Sequence, residues 1–216
     1  MKDIFLIRHG RQNSKRCNVD VSLDEDGKRQ AGLLADRLTG YGIEKLYSSD
    51  LKRAKETAGI IGKVLCLDCE IIPDFREIDF GSLTGKEDDV ILREFGEFRR
   101  ERALHTSDLP YPGGENGADV IARVMPPIRK ICSEKENRVA VVTHGGVIRS
   151  LCAHLTETDL KNKLKYAVDL ENTSITQICF DEERNLFYLE RFNDFAHLEQ
   201  YPELLRNNWK SSLIRK

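Results

Sequence analysis

The chain has 216 residues, of which 40% are hydrophobic and 32% are charged, and its formal net charge is -2. These values are ordinary for a soluble protein and predict one domain over 1–216, with room for an insertion. A nearly balanced charge argues against a general nucleic-acid surface, which needs a strongly basic face. No run approaches the roughly 20 apolar residues of a membrane span, and the first residues lack the layout of a signal peptide.

Six cysteines are scattered along the chain, and their spacing does not predict a disulfide framework in a chain of this length. Cys66 and Cys69 form a lone C-x-x-C with no second pair and no nearby histidine, so we expect no zinc site. Redox chemistry at this pair would need its own structural context. Reduced cysteines, with no membrane or nucleic-acid partner, lead us to expect a cytoplasmic protein.

Strand and helix patterns alternate through the first third of the chain. Nearly continuous apolar residues over 3–7 predict a buried strand of a parallel sheet. Asp24 is a suitable N-cap for a helix whose apolar residues recur at helical spacing. A short strand over 45–47 is followed by 48–50 (Ser-Ser-Asp), which can cap a second helix, and another strand follows around 70–72.

The region 81–116 breaks this alternation because it is charged and contains several glycines and prolines. We expect an insertion or lid over the carboxyl edge of the sheet, with a helix over about 88–102. The next helix pattern contains Pro126 and Pro127, which predict a break. Then follow a strand over 139–143, a helix to Leu155, an antiparallel hairpin of 174–180 and 186–191, and a polar tail over 193–216. The alternation predicts an α/β fold with a largely parallel sheet.

Two of these strands end in the same dipeptide. His9-Gly10 follows the first strand, and His144-Gly145 follows the strand over 139–143. In open α/β sheets, ligands bind outside the carboxyl ends of the strands. Two parallel strands that end at one edge would therefore place both imidazoles over one crevice.

Positive charge gathers at the same edge. Arg8 precedes His9, and Arg53 lies in the first turn of a helix that follows another strand end. Guanidinium groups bind phosphate oxygens through paired hydrogen bonds and stay charged. The helix that opens at Gly145 would add backbone N–H donors for an anion. The pattern predicts an anion site beside a nucleophilic histidine.

A proton donor is also needed, because attack of histidine on a phosphate ester leaves an alkoxide. Glu77 and Asp79 stand two residues apart and would lie on the same side of an extended segment, so either is a candidate. A carboxylic acid beside a dianionic phosphate holds its proton, which suits a general acid.

Four motifs in this order resemble the histidine phosphatase superfamily, also called phosphoglycerate mutase-like. They are Arg-His-Gly at 8–10, Ser-x-Leu-x-Arg-Ala-x-x-Thr-Ala at 49–58, Glu-x-x-x-Gly-x-x-x-Gly at 77–85 and Thr-His-Gly-Gly-Val-Ile-Arg at 143–149. The resemblance implies a three-layer α/β/α sandwich with a mostly parallel central sheet. It also implies a small phosphorylated metabolite as partner and a monomer or homodimer.

The resemblance assigns roles to five residues. His9 would be the nucleophile that becomes phosphohistidine, and Glu77 the general acid and base. The phosphoryl group would be held by Arg8, Arg53 and His144. No metal and no cofactor is expected, because these side chains supply the positive charge.

The chain departs from the family after its first motif. Members commonly continue Arg-His-Gly with an acidic residue and Thr or Ser, whereas this chain has Arg11, Gln12 and Asn13. Asn13 or Asn18 is a candidate replacement for the usual loop contacts. Arg11 would add positive charge at the mouth, which favours a substrate with a second anionic group.

Phosphatases and mutases share this core, so the region 81–116 is expected to separate them. The insertion here is short and ends at 112–116 (Pro-Gly-Gly-Glu-Asn), which looks like the phosphatase branch. The pair Arg99-Arg100 is the feature that resembles a mutase. We expect a phosphatase. The alternatives are a 2,3-bisphosphoglycerate-dependent phosphoglycerate mutase and a member that binds phosphorylated ligands without turnover.

Overall fold

A computed structural model describes residues 1–206 of the chain. Its centre is a mixed six-stranded sheet in the order β3-β2-β4-β1-β5-β6. The pairs β2–β3, β2–β4 and β1–β4 are parallel, while β5 pairs antiparallel with both β1 and β6. The strands are β1 (Lys2–Arg8), β2 (Lys45–Ser48), β3 (Cys69–Ile71), β4 (Arg138–Thr143), β5 (Ile175–Asp181) and β6 (Leu186–Asp194).

Helices cover both faces of this sheet. The alternation of side chains along β1 shows the two layers, because a strand sends successive residues to opposite faces. Ile4 and Leu6 pack with residues of α5 and α6, whereas Phe5 and Ile7 pack with residues of α1 and α2. The expected three-layer α/β/α fold is confirmed. The helices are α1 (Glu25–Leu38), α2 (Lys52–Leu65), α3 (Asp88–Glu94), α4 (Gly96–Ala103), α5 (Gly117–Ser133) and α6 (Gly145–Leu155).

One of the two predicted helix caps is present. Asp24 caps α1, with its carboxylate accepting a hydrogen bond from the Gly27 N–H at 2.7 Å. The cap predicted for α2 is wrong, because that helix begins after Leu51 with no side-chain cap. The polar side chains before it have other partners: Ser49 contacts His144, and Asp50 pairs with Arg76.

The predicted break at the proline pair is also wrong. Helix α5 runs through Pro126 and Pro127 without interruption. A proline in a helix interior costs about 3 kcal/mol, but Val124, Ile128 and Ile131 are buried on this helix. Burial of each such side chain stabilises the fold by about 1.5–3 kcal/mol, so packing offsets the lost hydrogen bonds.

The region 81–116 carries two short helices instead of the single helix predicted over 88–102. They are α3 and α4, which are separated at Phe95. Gly96 begins the second of them, and glycine is the least favourable residue in a helix interior after proline. The local sequence therefore explains the interruption.

The tail folds back on α1 as far as it is described. Gln30 of α1 donates to the carbonyl of Leu204 at 2.8 Å, and Leu198 is buried. The remainder of the predicted tail, 207–216, lies outside the described residues. Within residues 1–206, no helix is both long enough and apolar enough to cross a membrane.

His197 in this tail gives the fold a pH dependence. Arg37 donates towards His197 Nδ1 at 3.4 Å, and His197 Nε2 lies 3.0 Å from Thr173 Oγ1. Burial, followed by the charge of Arg37, lowers the pKa of His197 from 6.5 to about 4.

Between pH 6.5 and 4 the unfolded chain therefore binds this proton and the folded chain does not, so stability falls as the pH is lowered through that window. We expect urea unfolding curves to show this loss, and His197→Gln to have a smaller slope of stability against pH. Equal slopes for the two proteins would contradict the assignment.

Candidate active site

The two His-Gly dipeptides meet at the carboxyl edge of the sheet. Strands β1 and β4 are parallel neighbours, with Arg8 in register with Thr143. The residues that follow are therefore adjacent, and the ring centroids of His9 and His144 lie 5.0 Å apart. Both imidazoles are buried. The structure brings together the pair that the sequence singled out.

The hydrogen bonds of His9 fix its tautomer. Its Nδ1 lies 2.7 Å from the carbonyl oxygen of Gly10, which can only accept a hydrogen bond, so Nδ1 carries the proton. Its Nε2 accepts from Arg53 Nε at 3.2 Å. Burial lowers the pKa of His9 well below 6.5, and the charges of Arg53, His144 and Arg8 lower it further. The ring is thus neutral near pH 7, with the Nε2 lone pair directed at the cleft.

His144 occupies the N-cap position of α6. Its Nε2 lies 2.6 Å from Ser49 Oγ, while its buried Nδ1 has no hydrogen-bond partner within residues 1–206. Burial lowers the pKa of His144 well below 6.5, with further contributions from Arg53 and Arg8. This ring therefore has one nitrogen held by the protein and a second available to a ligand.

Arg53 and Arg8 approach the histidines from two directions. Arg53 is 1% exposed and is fixed by Asn18 Oδ1 and the Val19 carbonyl, each at 2.9 Å. Arg8 donates from Nη1 to the Leu170 carbonyl. Its buried Nε has no hydrogen-bond partner in the described part of the chain. Both guanidinium groups are thus held in place by the protein at the cleft, where they can donate hydrogen bonds to an anion.

The loop after His9 does not supply the predicted contact from Asn13. Asn13 is exposed, pairs its backbone N–H with Ser22, and does not line the cleft. Asn18, the alternative from the sequence, does line it and holds Arg53. Arg11 reaches the cleft wall, but its guanidinium is bonded to Asp24 and Asp26. Its charge is therefore largely balanced by these carboxylates.

The two candidate acids point in different directions. Glu77 lines the cleft, and its Oε1 accepts from the N–H groups of Ile78 and Gly146, each at 2.9 Å. Asp79 is exposed, accepts from the Gly81 N–H at 2.8 Å, and does not line the cleft. The segment 77–79, assumed from the sequence to be extended, is not part of a strand. Glu77 is the acid that faces the histidines' cleft.

A carboxylate–guanidinium pair holds the segment that carries Glu77. Arg123 of α5 binds both oxygens of Glu115, at 2.8 and 2.9 Å. Arg123 also donates to the Glu77 carbonyl at 3.2 Å, and Glu115 accepts from the Asp79 N–H at 2.9 Å. Paired hydrogen bonds of this kind fix geometry as well as adding stability.

The first turn of α6 contains two glycines, Gly145 and Gly146, and the second leaves room for the Glu77 carboxylate. A Cβ at Gly146 would stand 2.5 Å from Glu77 Oε1, so only glycine allows this carboxylate to sit on the helix N-terminus. A Cβ at Gly145 would lie 3.6 Å from Arg8 Nε. Gly145 therefore lies beside Arg8, and its role in binding an anion stays a prediction.

Sequence reasoning missed several residues of the cleft. Asn172 donates to the His9 carbonyl at 2.8 Å, and Arg206 of the tail lines the cleft and contacts Asn172. Neither follows a sequence motif. Arg149 also lines the cleft; it closes the Thr-His-Gly-Gly-Val-Ile-Arg motif, one helical turn after Gly145, and that spacing was a usable signal.

The cleft has two connected parts. A cavity of about 350 Å³ surrounds His9 and Arg53, and one of about 510 Å³ extends under α3 and α4. Arg8, Cys17 and Glu77 line both. In residues 1–206, no cluster of three or more His, Cys, Asp or Glu side chains is placed to hold a metal ion.

These features define a class of α/β protein in which a pair of buried histidines and two arginines surround an anion site at the end of a parallel strand pair. The family model of the histidine phosphatase superfamily (branch 1) matches residues 4–194. The chain belongs to this superfamily.

The relatives and solved structures that are named as phosphatases support phosphoric monoester hydrolysis as the general activity. A metal-independent phosphoserine phosphatase of Arabidopsis thaliana is 33% identical, over 94% of this chain and 86% of its own. A probable phosphoglycerate mutase of Salmonella typhi is 32% identical, over 92% of this chain and 96% of its own. A mycobacterial glucosyl-3-phosphoglycerate phosphatase, solved with inorganic phosphate, superposes with a TM-score of 0.82 at 26% identity, covering 91% and 99% of the two chains.

Proposed function

We propose that this chain is a metal-independent phosphatase that hydrolyses a small phosphomonoester through a phosphohistidine on His9. The observation that carries the proposal is the neutral imidazole of His9, whose unprotonated Nε2 faces the cleft beside Arg53. A lone pair on a preset nitrogen is the requirement for covalent catalysis.

In the first step, His9 Nε2 attacks phosphorus and the bond from phosphorus to the ester oxygen breaks. Glu77 gives its proton to that oxygen, so the alcohol leaves neutral. A phosphoryl group in the cleft takes the Arg53 Nε–H on one of its oxygens, which frees the lone pair for attack. Arg8 Nε and His144 Nδ1, both lacking partners in the described residues, supply further hydrogen bonds.

In the second step, water attacks the phosphohistidine. Glu77, now a carboxylate, takes a proton from the water as the nitrogen–phosphorus bond breaks, and inorganic phosphate leaves. His9 and Glu77 both return to their starting states. The position of Glu77 on the N-terminus of α6 allows it to serve in both directions.

Two observations support a phosphatase over the mutase alternative. The Arg99-Arg100 pair that resembles a mutase is divided, because Arg99 lines the cleft while Arg100 is exposed outside it. A relative named as a metal-independent phosphatase covers nearly the whole chain. Relatives named as probable mutases keep that activity as the alternative to be tested.

The test is phosphate release with excess EDTA, measured on a panel of phosphomonoesters that includes 3-phosphoglycerate. We expect turnover in EDTA and a phosphoenzyme, trapped by rapid quenching, that survives alkali and decays in acid as phosphohistidine does. Conversion of 3-phosphoglycerate to its 2-isomer, after priming with bisphosphoglycerate and without phosphate release, would establish the mutase instead. Ligand binding with neither reaction would indicate a binding protein.

A further inference from the structure

The wall of the larger cavity carries more positive charge than one phosphoryl group requires. This part of the cleft lies beyond Glu77 and extends under the helices of the region 81–116. Its apolar contribution includes the aromatic rings of Phe80, Phe98 and Tyr111. Its basic side chains, in addition to Arg8, are Arg99, Arg102, Arg149, Lys163 and Arg206.

Three of these basic groups are engaged by the protein. Lys163 pairs with Asp108. Arg206 lies beside Asp169, with 3.7 Å between Nε and the carboxylate. Arg149 donates to the carbonyls of Tyr166 and Ala167, at 2.9 and 3.1 Å. Their charges and donors therefore have partners in the fold itself.

Arg102 of α4 is different. Its guanidinium carbon lies 3.9 Å from the centroid of the Tyr111 ring. Its Nη1 is buried and has no hydrogen-bond partner within residues 1–206. No carboxylate of the described residues lies within 4.0 Å of its nitrogens. Arg102 thus lines the cavity while stacked on an aromatic ring, and no carboxylate of the described residues balances its charge.

A buried donor without a partner destabilises the fold, and more so when the group is charged. Stacking on Tyr111 offsets part of this cost, because a cation is attracted to the face of an aromatic ring. The stacking also holds the guanidinium plane in place. An anionic group that enters the cavity beside Arg102 would balance its charge.

We propose that Arg102 binds an acidic group on the alcohol part of the substrate. The inference rests on the proposed function: the phosphoryl group lies at His9, and the second anion lies in the larger cavity. The substrate class is then a phosphomonoester whose alcohol part carries a carboxylate or a second phosphate. The sequence placed such a contact at Arg11, which is instead bonded to Asp24 and Asp26.

The test compares esters that differ only in the second group. 3-Phosphoglycerate has a carboxylate where glycerol 3-phosphate has a hydroxymethyl group, and fructose 1,6-bisphosphate is set against fructose 6-phosphate. The variant is Arg102→Met, and Arg100→Met is its control, because Arg100 lies on the same helix and is exposed outside the cavity. Arg102→Lys keeps the charge and loses the paired donors.

We expect Arg102→Met to lower kcat/KM for one acidic member of a pair by about 10- to 100-fold, the effect of a charge-assisted hydrogen bond. Its neutral partner and the Arg100→Met variant should change little. The pair that responds identifies carboxylate or phosphate as the bound group. Circular dichroism checks folding, and Arg102→Lys replaces Arg102→Met if the latter does not fold.

Failure of this inference and failure of the proposed function give different results. If the wild type hydrolyses acidic and neutral esters equally, and Arg102→Met lowers both or neither, the second anion site is refuted and the phosphatase stands. If no ester is hydrolysed, the phosphatase is refuted. The second anion site is then tested by measuring ligand affinities with calorimetry. Tighter binding of 3-phosphoglycerate than of glycerol 3-phosphate, lost in Arg102→Met, supports the site, and equal affinities overturn it.

Discussion

His9→Ala is expected to lower kcat by roughly 10⁴-fold or more, the scale seen when a covalent nucleophile is removed. No other group of the site offers a comparable lone pair. His144 Nε2 is engaged by Ser49, its Nδ1 is assigned to hydrogen-bond the phosphoryl group, and Glu77 is held on the N-terminus of α6. Alanine removes only two hydrogen bonds, from Nδ1 to the Gly10 carbonyl and from Arg53 Nε to Nε2, so the fold should survive.

The measurement is single-turnover phosphate release together with rapid-quench trapping of the phosphoenzyme. Wild type should give an acid-labile phosphoenzyme and His9→Ala none. His154→Ala is the matched control, because His154 is exposed on α6 and does not line the cleft. A phosphoenzyme that persists in His9→Ala would place the nucleophile on another residue.

The acid limit of activity should depend on the same nitrogen. Burial and the neighbouring arginines lower the pKa of His9 well below 6.5. The imidazole therefore loses its proton at a lower pH than a free histidine does, and the nucleophile remains available in mildly acidic solution. The same arginines that bind the phosphoryl group thus keep the nucleophile unprotonated.

The part of this site that sequence could predict lies on the sheet. Apolar runs predict parallel strands, and parallel neighbours end at one edge, so His9 and His144 had to meet once β1 and β4 paired. The position of Arg53 could be predicted in the same way, because the helix that carries it begins shortly after the end of β2. These residues could be placed because regular geometry carries their backbones to the site.

The residues that sequence could not place reach the site along irregular backbone or depend on packing. Arg206 comes from the folded-back tail, and no local pattern fixes the path of such a segment. Arg102 depends on how two short helices lie against Tyr111. The continuous helix through Pro126 and Pro127 likewise depends on burial that a local rule for proline does not include. Tertiary packing decides each of these cases.

The choice between Glu77 and Asp79 shows the same limit on a smaller scale. These two residues lie two apart and share a face only in a regular extended strand, but residues 77–79 form no strand. The bonds from Glu115 and Arg123 then fix which carboxylate enters the cleft. Glu77 lines the cleft around the histidines and Asp79 does not, and a pair of conservative substitutions can test this.

Glu77→Gln is expected to lower kcat for an alkyl phosphate by about 10²- to 10⁴-fold, the usual contribution of a general acid or base. The amide oxygen can still accept from the Ile78 and Gly146 N–H groups, so the side chain keeps its place and loses only its titratable proton. Asp79→Asn, the matched control, should change kcat by less than about threefold, as exposed substitutions do.

A change of leaving group shows that the missing function of Glu77→Gln is proton transfer. Nitrophenolate leaves without a proton, so Glu77→Gln should still form the phosphohistidine from p-nitrophenyl phosphate. Hydrolysis of that intermediate should remain slow, because water then lacks its base. Stopped-flow absorbance should therefore show a burst of nitrophenolate close to one per active site, followed by a slow steady state. The same burst should be absent from His9→Ala. If Asp79→Asn produced the burst and Glu77→Gln did not, the proton donor would be Asp79, and the assignment of Glu77 would fail.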